Sequence, residues 1–440
     1  MRILIRGAFI YSSDAAETCL PNGSILIRDS RIERIATMGE LDGQDVDLAI
    51  DGRGLVALPG FINCHTHATL TASRADSDDL ELFPWLLDAG RVRPPHPDDA
   101  LHSAYLGCTE MLLGGITYAV ECGRRHPLLY AAVARELGQR CMSGGMANSE
   151  ELRPGTGNWP ELVSDTRHAL AELPEDSDGL TRYFIGAHSP YSCTPERLVE
   201  AKRAADDLGL AFNVHLAECR DEWRLIRERH GRTPLQHAAS LGILDSRSIL
   251  NHCVWLDELD IEVLSRSGAA VAHCPISNAK LASGVAPIST MRAAGIPVGL
   301  GTDSTVSNNT LNAYEEMKFS LLVQRATSLS ARQLTARDAL AMATREAAKL
   351  VGMADEIGTL ESGKRADLQL VALSHPRGLT LERVRSDLVW ATRPEQVRWV
   401  LVNGDVVVRD GQLVRADQGQ LADRARRHFA QQEALILGQR

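Results

Sequence analysis

The chain has 440 residues, of which 44% are hydrophobic and 24% are charged, and its formal net charge is −10. This length accommodates one large α/β barrel with a smaller attached domain, and the composition is that of a globular protein rather than a disordered or fibrous one. The acidic balance and the scattered arginines argue against a nucleic-acid partner, because phosphate binding needs clustered Lys and Arg.

The N-terminal segment predicts short strands joined by turns. Apolar runs in RILIRGAFIY and NGSILIRDSRIERIA alternate with polar residues, and Asn22-Gly23 is a typical hairpin turn. A charge interrupts the first apolar run, so this segment does not resemble a signal peptide. We therefore expect residues 1–58 to contribute strands to a small β domain.

From Leu55 onward, short apolar runs alternate with longer amphipathic segments, which is typical of parallel strands joined by crossover helices. Helices are predicted for segments such as PDDALHSAYLGCTEMLLGG and LNAYEEMKFSLLVQRAT. Eight runs predict the strands of one (β/α)8 TIM barrel over residues 59–357, and they are VALPGFIN, GITYAVE, RCMSGGM, RYFIGAH, AFNVHL, SILNHC, AAVAHC and PVGLGTD.

After the barrel the sequence returns to short strands. GTLESGKRADLQLVAL and VRWVLVNGDVVVRDGQLV lie in residues 358–415, and we expect them to pair with residues 1–58 in a small β-sandwich domain. Residues 416–440 contain LADRARRHFAQQEALIL, which predicts a surface helix that packs on the barrel or on a partner. A homo-oligomer is the expected assembly.

The cysteines and the hydropathy pattern indicate the compartment. Nine cysteines form no C-x-x-C pair and are odd in number, so they are expected to be reduced thiols. No stretch reaches the roughly 18 uncharged apolar residues that a membrane-spanning helix requires. We expect a cytoplasmic protein with no membrane partner.

Histidines follow the first and fifth predicted strands. His65 and His67 form a His-x-His pair, and because side chains alternate along a strand, both can face one metal ion. His215 ends the fifth strand, and Glu218 lies three residues later, where a carboxylate can act as a general base. Taken separately, each has a simpler explanation: a chance His pair, a hydrogen-bonded core histidine and a solvated glutamate.

His252 and Asp303 end the sixth and eighth predicted strands. A carboxylate at the tip of an apolar strand has little structural reason to be there unless it is paired, although Asp303 could also cap a turn. Four separate strands that each end in a metal-ligating or acid-base residue indicate one convergent site at the carboxyl end of the barrel.

These residues resemble the amidohydrolase superfamily, in particular its cytosine-deaminase-like and methylthioadenosine/S-adenosylhomocysteine-deaminase-like branch. The resemblance covers almost the whole chain, and the segments that carry it include LVALPGFINCHTHA, FPWLL, AHSPYSCTPE, NVHLAE, NHCVWL, HCPISNAKLASG and GLGTDSTVSNNTLNAYEEMK. It implies a TIM barrel and metal-dependent removal of an amino group from a nitrogen heterocycle.

The same resemblance implies a role for each matching residue. One divalent metal ion is held by His65, His67, His215 and Asp303. Glu218 and His252 transfer protons, while His188 contacts the substrate and Trp85 lines the pocket. Three imidazoles and one carboxylate suit zinc, and this branch also accepts iron, so ligand type does not separate the two metals.

Two departures from the nucleoside-deaminating members concern substrate binding. Those members have an acidic residue shortly after the W-L sequence, whereas here Asp88 lies too close to Trp85 and the next acid is Asp98. They also have an arginine after the third strand, where this chain has RCMSGGMANSE. These departures favour a free purine, a pterin, a triazine or another nitrogen heterocycle over a nucleoside. An adenine nucleoside, which the resemblance implies, stays among the expected substrates.

Two alternatives to a deaminase remain at this point. One is a hydrolase that releases an alkylamine or chloride from a triazine-like ring, and the other is a catalytically silent binding scaffold. Glu218 favours a nitrogen leaving group that must be protonated, and the complete set of acid-base and ligand residues argues against a silent scaffold.

Overall fold

The computed structural model describes residues 1–91, 97–123, 127–152, 159–174 and 179–438. The N-terminal strands, none of which contributes to the barrel, are β1 (Arg2–Tyr11), β2 (Cys19–Arg28), β3 (Arg31–Thr37), β4 (Leu48–Asp51) and β5 (Leu55–Pro59). Strand β1 pairs in antiparallel fashion with β2, and in parallel with β4 and then with β5. No helix interrupts this segment, as the sequence predicts.

Eight parallel strands of the described chain form the barrel. They are β6 (Phe61–Thr66), β7 (Ile116–Gly123), β8 (Arg140–Ala147), β9 (Thr181–Ala187), β10 (Ala211–Leu216), β11 (Ser248–His252), β12 (Ala270–His273) and β13 (Val298–Leu300). Neighbours in sequence are neighbours in the sheet, and a bridge between Thr66 and Asp303 joins the first strand to the end of the last. The predicted TIM barrel is confirmed.

The C-terminal strands return to the sheet that β1 begins. They are β14 (Leu368–Ala372), β15 (Val397–Val402), β16 (Asp405–Arg409) and β17 (Gln412–Leu413). Strand β14 lies antiparallel to β5, so the two ends of the chain form one mixed sheet of nine strands. The predicted pairing of the two ends is confirmed, and the small domain that they form is one hydrogen-bonded mixed sheet.

The helices of the described residues surround the barrel. They are α1 (Leu82–Arg91), α2 (Pro97–Leu113), α3 (Pro127–Leu137), α4 (Trp159–Glu172), α5 (Pro195–Asp207), α6 (Arg220–His230), α7 (Pro234–Ser240), α8 (Glu258–Ser267), α9 (Pro275–Lys280), α10 (Ile288–Ala293), α11 (Ala313–Ser328), α12 (Ala336–Ala343), α13 (Arg345–Leu350), α14 (Leu381–Trp390) and α15 (Gln418–Gly438). None of these helices is long and apolar enough to cross a bilayer. All nine cysteines lie in described segments, and none forms a disulfide.

The alternation along β10 shows how the sequence places side chains. Phe212, Val214 and Leu216 are fully buried in the apolar core that also contains residues of the surrounding helices. The residues between them, Asn213 and His215, point to the opposite face of the strand. An apolar outer face therefore packs the strand in place, and it directs His215 inward at the carboxyl end of the barrel.

The first predicted strand, VALPGFIN, is two strands in the structure. Residues up to Pro59 belong to the small sheet as β5, and the barrel strand β6 begins at Phe61. Between them, a Cβ on Gly60 would lie 2.2 Å from the side chain of Thr117. Only glycine fits this close approach, so the chain passes from one sheet to the other at this residue.

Two helices outside the barrel pack against it. Helix α14, which interrupts the C-terminal strands and was not predicted, contacts α11 and α12. Helix α15 covers residues of the predicted surface helix and packs on α2, where His428 Nε2 lies 2.5 Å from Asp99 Oδ1. The sequence left open whether this helix packs on the barrel or on a partner, and it contacts the barrel.

A buried ion pair joins the small sheet to the barrel. Arg140, the first residue of β8, donates from Nε and Nη2 to the two carboxylate oxygens of Asp367 at 2.8 and 3.0 Å. Both side chains are almost fully buried. Because the two charges neutralise one another away from water, losing either partner leaves the other uncompensated.

We therefore expect Asp367→Ala to lower the free energy of unfolding by about 3–5 kcal/mol, the usual cost of breaking a buried pair. Urea denaturation measures this change. The matched control is Glu262→Ala, which removes the exposed pair with Arg266 on α8 and should leave the unfolding midpoint nearly unchanged. Equal effects of the two substitutions would contradict the prediction.

Candidate active site

The four predicted metal ligands come together at the carboxyl end of the barrel. The Nε2 atoms of His65 and His67, from the end of β6, each lie 3.5 Å from Asp303 Oδ1. The rings of His65 and His215 approach to 4.9 Å between centroids. The structure thus brings residues from the first, fifth and eighth barrel strands into one cluster.

Backbone carbonyls fix two of the imidazoles. His67 Nδ1 lies 2.6 Å from the carbonyl oxygen of Cys122, and His215 Nδ1 lies 2.7 Å from that of His188. A carbonyl only accepts, so each Nδ1 carries the proton and each Nε2 keeps its lone pair toward the cluster. This is the arrangement by which proteins orient histidines that bind metals.

Hydroxyl groups and a backbone amide hold Asp303. The hydroxyls of Ser277 and Ser307 donate to Oδ2 at 2.6 and 2.9 Å, and the amide of Ser304 donates to Oδ1 at 2.8 Å. Burial alone would raise the pKa of this carboxyl, but His65 and the other histidines beside it hold the pKa well below its ordinary value. Asp303 is therefore an anion that faces the histidine cluster.

The donor set fits a divalent cation. His65 is fully buried, and its Nε2 has no hydrogen-bond partner among the described residues, an arrangement that is costly unless a ligand satisfies this nitrogen. Two overlapping groups of donor atoms lie within 4.8 Å of one another, namely His65, His67 and Asp303, and His65, His215 and His252. Imidazole nitrogens and a carboxylate oxygen are the ligands that zinc takes in catalytic sites.

Glu218 and His252 lie beside this cluster. His252 Nε2 is 3.8 Å from Glu218 Oε1, and His252 Nδ1 is 2.9 Å from the side-chain oxygen of Asn278. Burial raises the pKa of Glu218 well above its ordinary value, with a further contribution from the charge of Asp303. Burial also lowers the pKa of His252. The Glu218 carboxyl and the His252 imidazole therefore form an acid-base pair in which burial alters both pKa values, as in groups that transfer protons.

The backbone around these groups is strained. Ala217, His252 and Asp303 all have positive φ angles, of 53°, 74° and 57°, although none of them is glycine. Such conformations cost about 1–3 kcal/mol each and persist where the surrounding structure imposes them, most often at functional sites. The strand ends therefore turn sharply at the residues that present side chains to the cluster.

Sequence comparison identifies the family. The sequence profile of the amidohydrolase family matches residues 56–407, which is most of the chain. The chain belongs to the amidohydrolase family. It is 34% identical over 430 residues to a 5-methylthioadenosine/S-adenosylhomocysteine deaminase of Pelotomaculum thermopropionicum, covering 97% of each chain.

Solved structures of this family are also similar over the whole chain. An adenosine deaminase from Xanthomonas campestris with bound zinc superposes with a TM-score of 0.91 at 26% identity, covering 98% of each chain. A zinc complex of an atrazine chlorohydrolase from Arthrobacter aurescens superposes with a TM-score of 0.87 at 26% identity, covering 96% of this chain and 99% of the other. The amidohydrolase fold therefore extends over the barrel and the small sheet.

The two predicted substrate-contacting residues have different neighbours in the site region. The ring of His188 is 4.9 Å from that of His215 between centroids, and its Nδ1 lies 2.9 Å from the Ser192 hydroxyl. Trp85, on α1, packs in an apolar cluster with Cys219 and Val306, which follow Glu218 and Asp303 in sequence. Both residues are thus near the elements that carry the acid-base and ligand groups.

Glu121 is a buried acid beside the site that was not predicted from the sequence. Glu121, near the end of β7, accepts hydrogen bonds from the amides of Ala68 at 2.6 Å and Thr69 at 3.2 Å, and from the Thr69 hydroxyl at 2.7 Å. Burial raises its pKa to about 7. It fixes the turn that directly follows His67, and its position at the end of the predicted strand GITYAVE was the signal that could have revealed it.

Asp88 and Asp98, the two acids compared above with those of nucleoside deaminases, lie in α1 and α2. Asp88 accepts a hydrogen bond of 2.8 Å from the Ser77 hydroxyl. Asp98 lies in the first turn of α2. Residues 92–96, which separate these two acids, and residues 153–158, which follow the third strand, lie outside the described part of the chain.

Proposed function

We propose that this amidohydrolase is a metal-dependent deaminase, which adds water to a C–N centre of a nitrogen heterocycle and releases ammonia. The observation that carries this proposal is the position of Glu218 and His252, 3.8 Å apart, beside the four candidate ligands. A proton-transfer pair next to a cation site is what hydrolysis of an amidine requires, because the water must be deprotonated and the amine protonated.

His65, His67, His215 and Asp303 would hold the metal, and zinc suits this donor set. The buried, unpartnered Nε2 of His65 and the carbonyl-bound Nδ1 atoms of His67 and His215 support this assignment. A zinc ion supplies an activated water, since it lowers the pKa of bound water to roughly 7. The bound zinc in the similar Xanthomonas campestris structure also supports zinc over iron.

The side chains divide the proton transfers between them. Glu218 takes one proton from the attacking water and delivers it to the ring nitrogen, while the water oxygen bonds to the ring carbon. The second proton leaves with the amino group, which departs as ammonia when its bond to carbon breaks. His252 stabilises the attacking oxygen, His188 orients the ring, and Trp85 lines the pocket.

An adenine nucleoside is the substrate class with most support. The supporting observation is 34% identity, over 97% of both chains, to a 5-methylthioadenosine/S-adenosylhomocysteine deaminase. The positions of Asp88 and Asp98 leave open a different recognition of the ribose, and hence a free purine or pterin as substrate. We expect ammonia release from a 6-aminopurine compound in a screen of adenine nucleosides, free purines, pterins and triazines with the zinc-loaded enzyme. Absence of ammonia from every compound would contradict the proposal.

A second candidate is hydrolysis of a triazine-like ring with loss of chloride or an alkylamine. Its specific support is the TM-score of 0.87 with an atrazine chlorohydrolase. Measuring chloride and amine together with ammonia in the same screen separates the two reactions.

We expect about one tightly bound divalent metal per chain. The two overlapping groups of donor atoms share His65, which supports a single cation position. The end of β9, where binuclear members of the superfamily carry a carboxylated Lys or a bridging Glu, continues as His188 in this chain. Elemental analysis of the purified, dialysed protein measures the ratio. Two tightly bound metals per chain would contradict the mononuclear assignment.

The cellular setting belongs to the same proposal. We propose that the enzyme works in the cytoplasm as a homo-oligomer, and the nine free cysteines support a reducing compartment. Sedimentation analysis of the purified protein tests the assembly.

A further inference from the structure

A second buried glutamate supports the turn that carries Glu218. Glu222 lies in the first turn of α6, and its side chain is fully buried. Its Oε1 accepts the amide hydrogen of Ala217 at 3.1 Å, and its Oε2 accepts that of Glu218 at 2.7 Å. One carboxylate therefore holds two successive amides of the segment that joins the ligand His215 to the acid-base residue Glu218.

This segment needs support because its backbone is strained. Ala217 has a φ of 53°, a left-handed conformation that a residue with a Cβ adopts only at a cost. The turn directs Glu218 toward His252, at a distance of 3.8 Å, rather than along the direction of β10. Relaxation of the turn would move the Glu218 carboxyl relative to the reacting atoms, and a displacement of about 1 Å can cost 10²-fold in rate.

A general stabilising role for an acid at a helix N-terminus does not explain these contacts. Asp221, the neighbouring residue, lies in the same first turn and is exposed, so it can interact with the helix dipole without leaving water. Glu222 is instead buried, a costly placement for a carboxylate, and both of its oxygens point back to the turn before the helix.

We infer that Glu222 is a positioning residue, which holds the Ala217–Glu218 turn so that the Glu218 carboxyl can exchange protons with the water and the ring nitrogen. This inference rests on the proposed deaminase function and on the role given there to Glu218. In this role Glu222 contacts neither the substrate nor the metal, because it acts only through the backbone of Glu218.

The test is the substitution Glu222→Gln in the metal-loaded enzyme. Glutamine has the same size, but an NH₂ group replaces one of the two acceptor oxygens and would face an amide hydrogen that it cannot accept. We expect kcat to fall by roughly 10- to 100-fold, with KM within about threefold, and unchanged metal content. The matched control is Asp221→Asn, which alters the exposed acid next to it and should leave kcat unchanged.

A double-mutant cycle separates positioning from general structural support. If Glu222 acts through Glu218, adding Glu222→Gln to Glu218→Gln should lower the remaining rate by less than about twofold, because the group being positioned is already inactive. The same loss in both backgrounds, a loss of metal, or unchanged kcat in the single variant would each overturn the inference. Should Glu222→Gln fail to fold, Glu222→Asp, which keeps two acceptor oxygens on a shorter side chain, enters the same cycle.

Different results would contradict the positioning role of Glu222 and the proposed role of Glu218. If Glu218→Gln alone retained near wild-type ammonia release, the proposed role of Glu218 would fail, whatever Glu222→Gln did. If Glu218→Gln were inactive and Glu222→Gln fully active, only the positioning role would fail.

Discussion

Replacing Glu218 with glutamine should lower the rate of ammonia release by at least roughly 10²-fold, the usual scale for loss of a general base. The substitution preserves the size of the side chain and removes its basicity. Glu218 is buried and its pKa is raised by that burial, so the wild-type carboxylate is a stronger base toward the water and, once protonated, an acid toward the ring nitrogen. Glutamine can do neither, and proton transfer to the ring nitrogen should fail.

Binding should survive this substitution, since Glu218 is not one of the four proposed ligands. We expect metal content and substrate dissociation constant to stay within about threefold, measured by elemental analysis and calorimetry on the same preparation. The matched control is Glu228→Gln, which changes an exposed glutamate of the helix that follows Glu218. Near wild-type turnover in Glu218→Gln would transfer the role of proton shuttle to His252 or to the activated water alone.

The barrel and the ligand candidates could be predicted because both depend on local sequence patterns. An apolar strand with a polar residue at or next to its end is recognisable in each of β6, β10 and β11, and parallel strands in a barrel bring such ends to one face. His65, His67, His215 and Asp303 therefore lie together in the structure as the sequence predicted, and their role as ligands stays a prediction.

The supporting contacts could not be predicted because they join residues far apart in sequence. Ser277 donates to Asp303 from 26 positions away, and Asn278 accepts from His252 over the same separation. Nothing in the local pattern of α9 indicates a functional role for Ser277 or Asn278, since serine and asparagine are also common in ordinary turns. Only the packing of this short helix against the strand ends brings these residues to the site.

The structure differs from the predicted fold in two places, and the physical causes are similar. The sequence VALPGFIN is apolar throughout, so its periodicity does not reveal that Gly60 passes the chain from the small sheet to the barrel. Helix α14 was not predicted between the C-terminal strands, although the structure places it there against α11 and α12. In both places the tertiary contact, rather than the local pattern, determines the structure.

The strongest effect on metal content is expected for the ligand substitutions His215→Ala and Asp303→Ala. Each removes one of four donors from a site whose remaining donors are held rigidly, so bound metal should fall below about one tenth per chain, with no detectable ammonia release.

The barrel should still fold in both variants, because the ligands lie at strand ends rather than in the core. The bridge between β6 and the end of the last strand is made by backbone atoms, since the amide of Asp303 donates to the carbonyl oxygen of His65 at 2.9 Å. Alanine at position 303 must keep a φ of 57°, so Asp303→Asn, which tolerates this conformation, serves as a companion with the same expected loss of metal.

His168→Ala, at an exposed position of α4, is the control for removal of an imidazole. Circular dichroism, elemental analysis and the ammonia assay are measured on each protein. Metal-free protein that remained active would show that these residues do not form the reaction centre, since no water activated by a cation would then be needed for the chemistry.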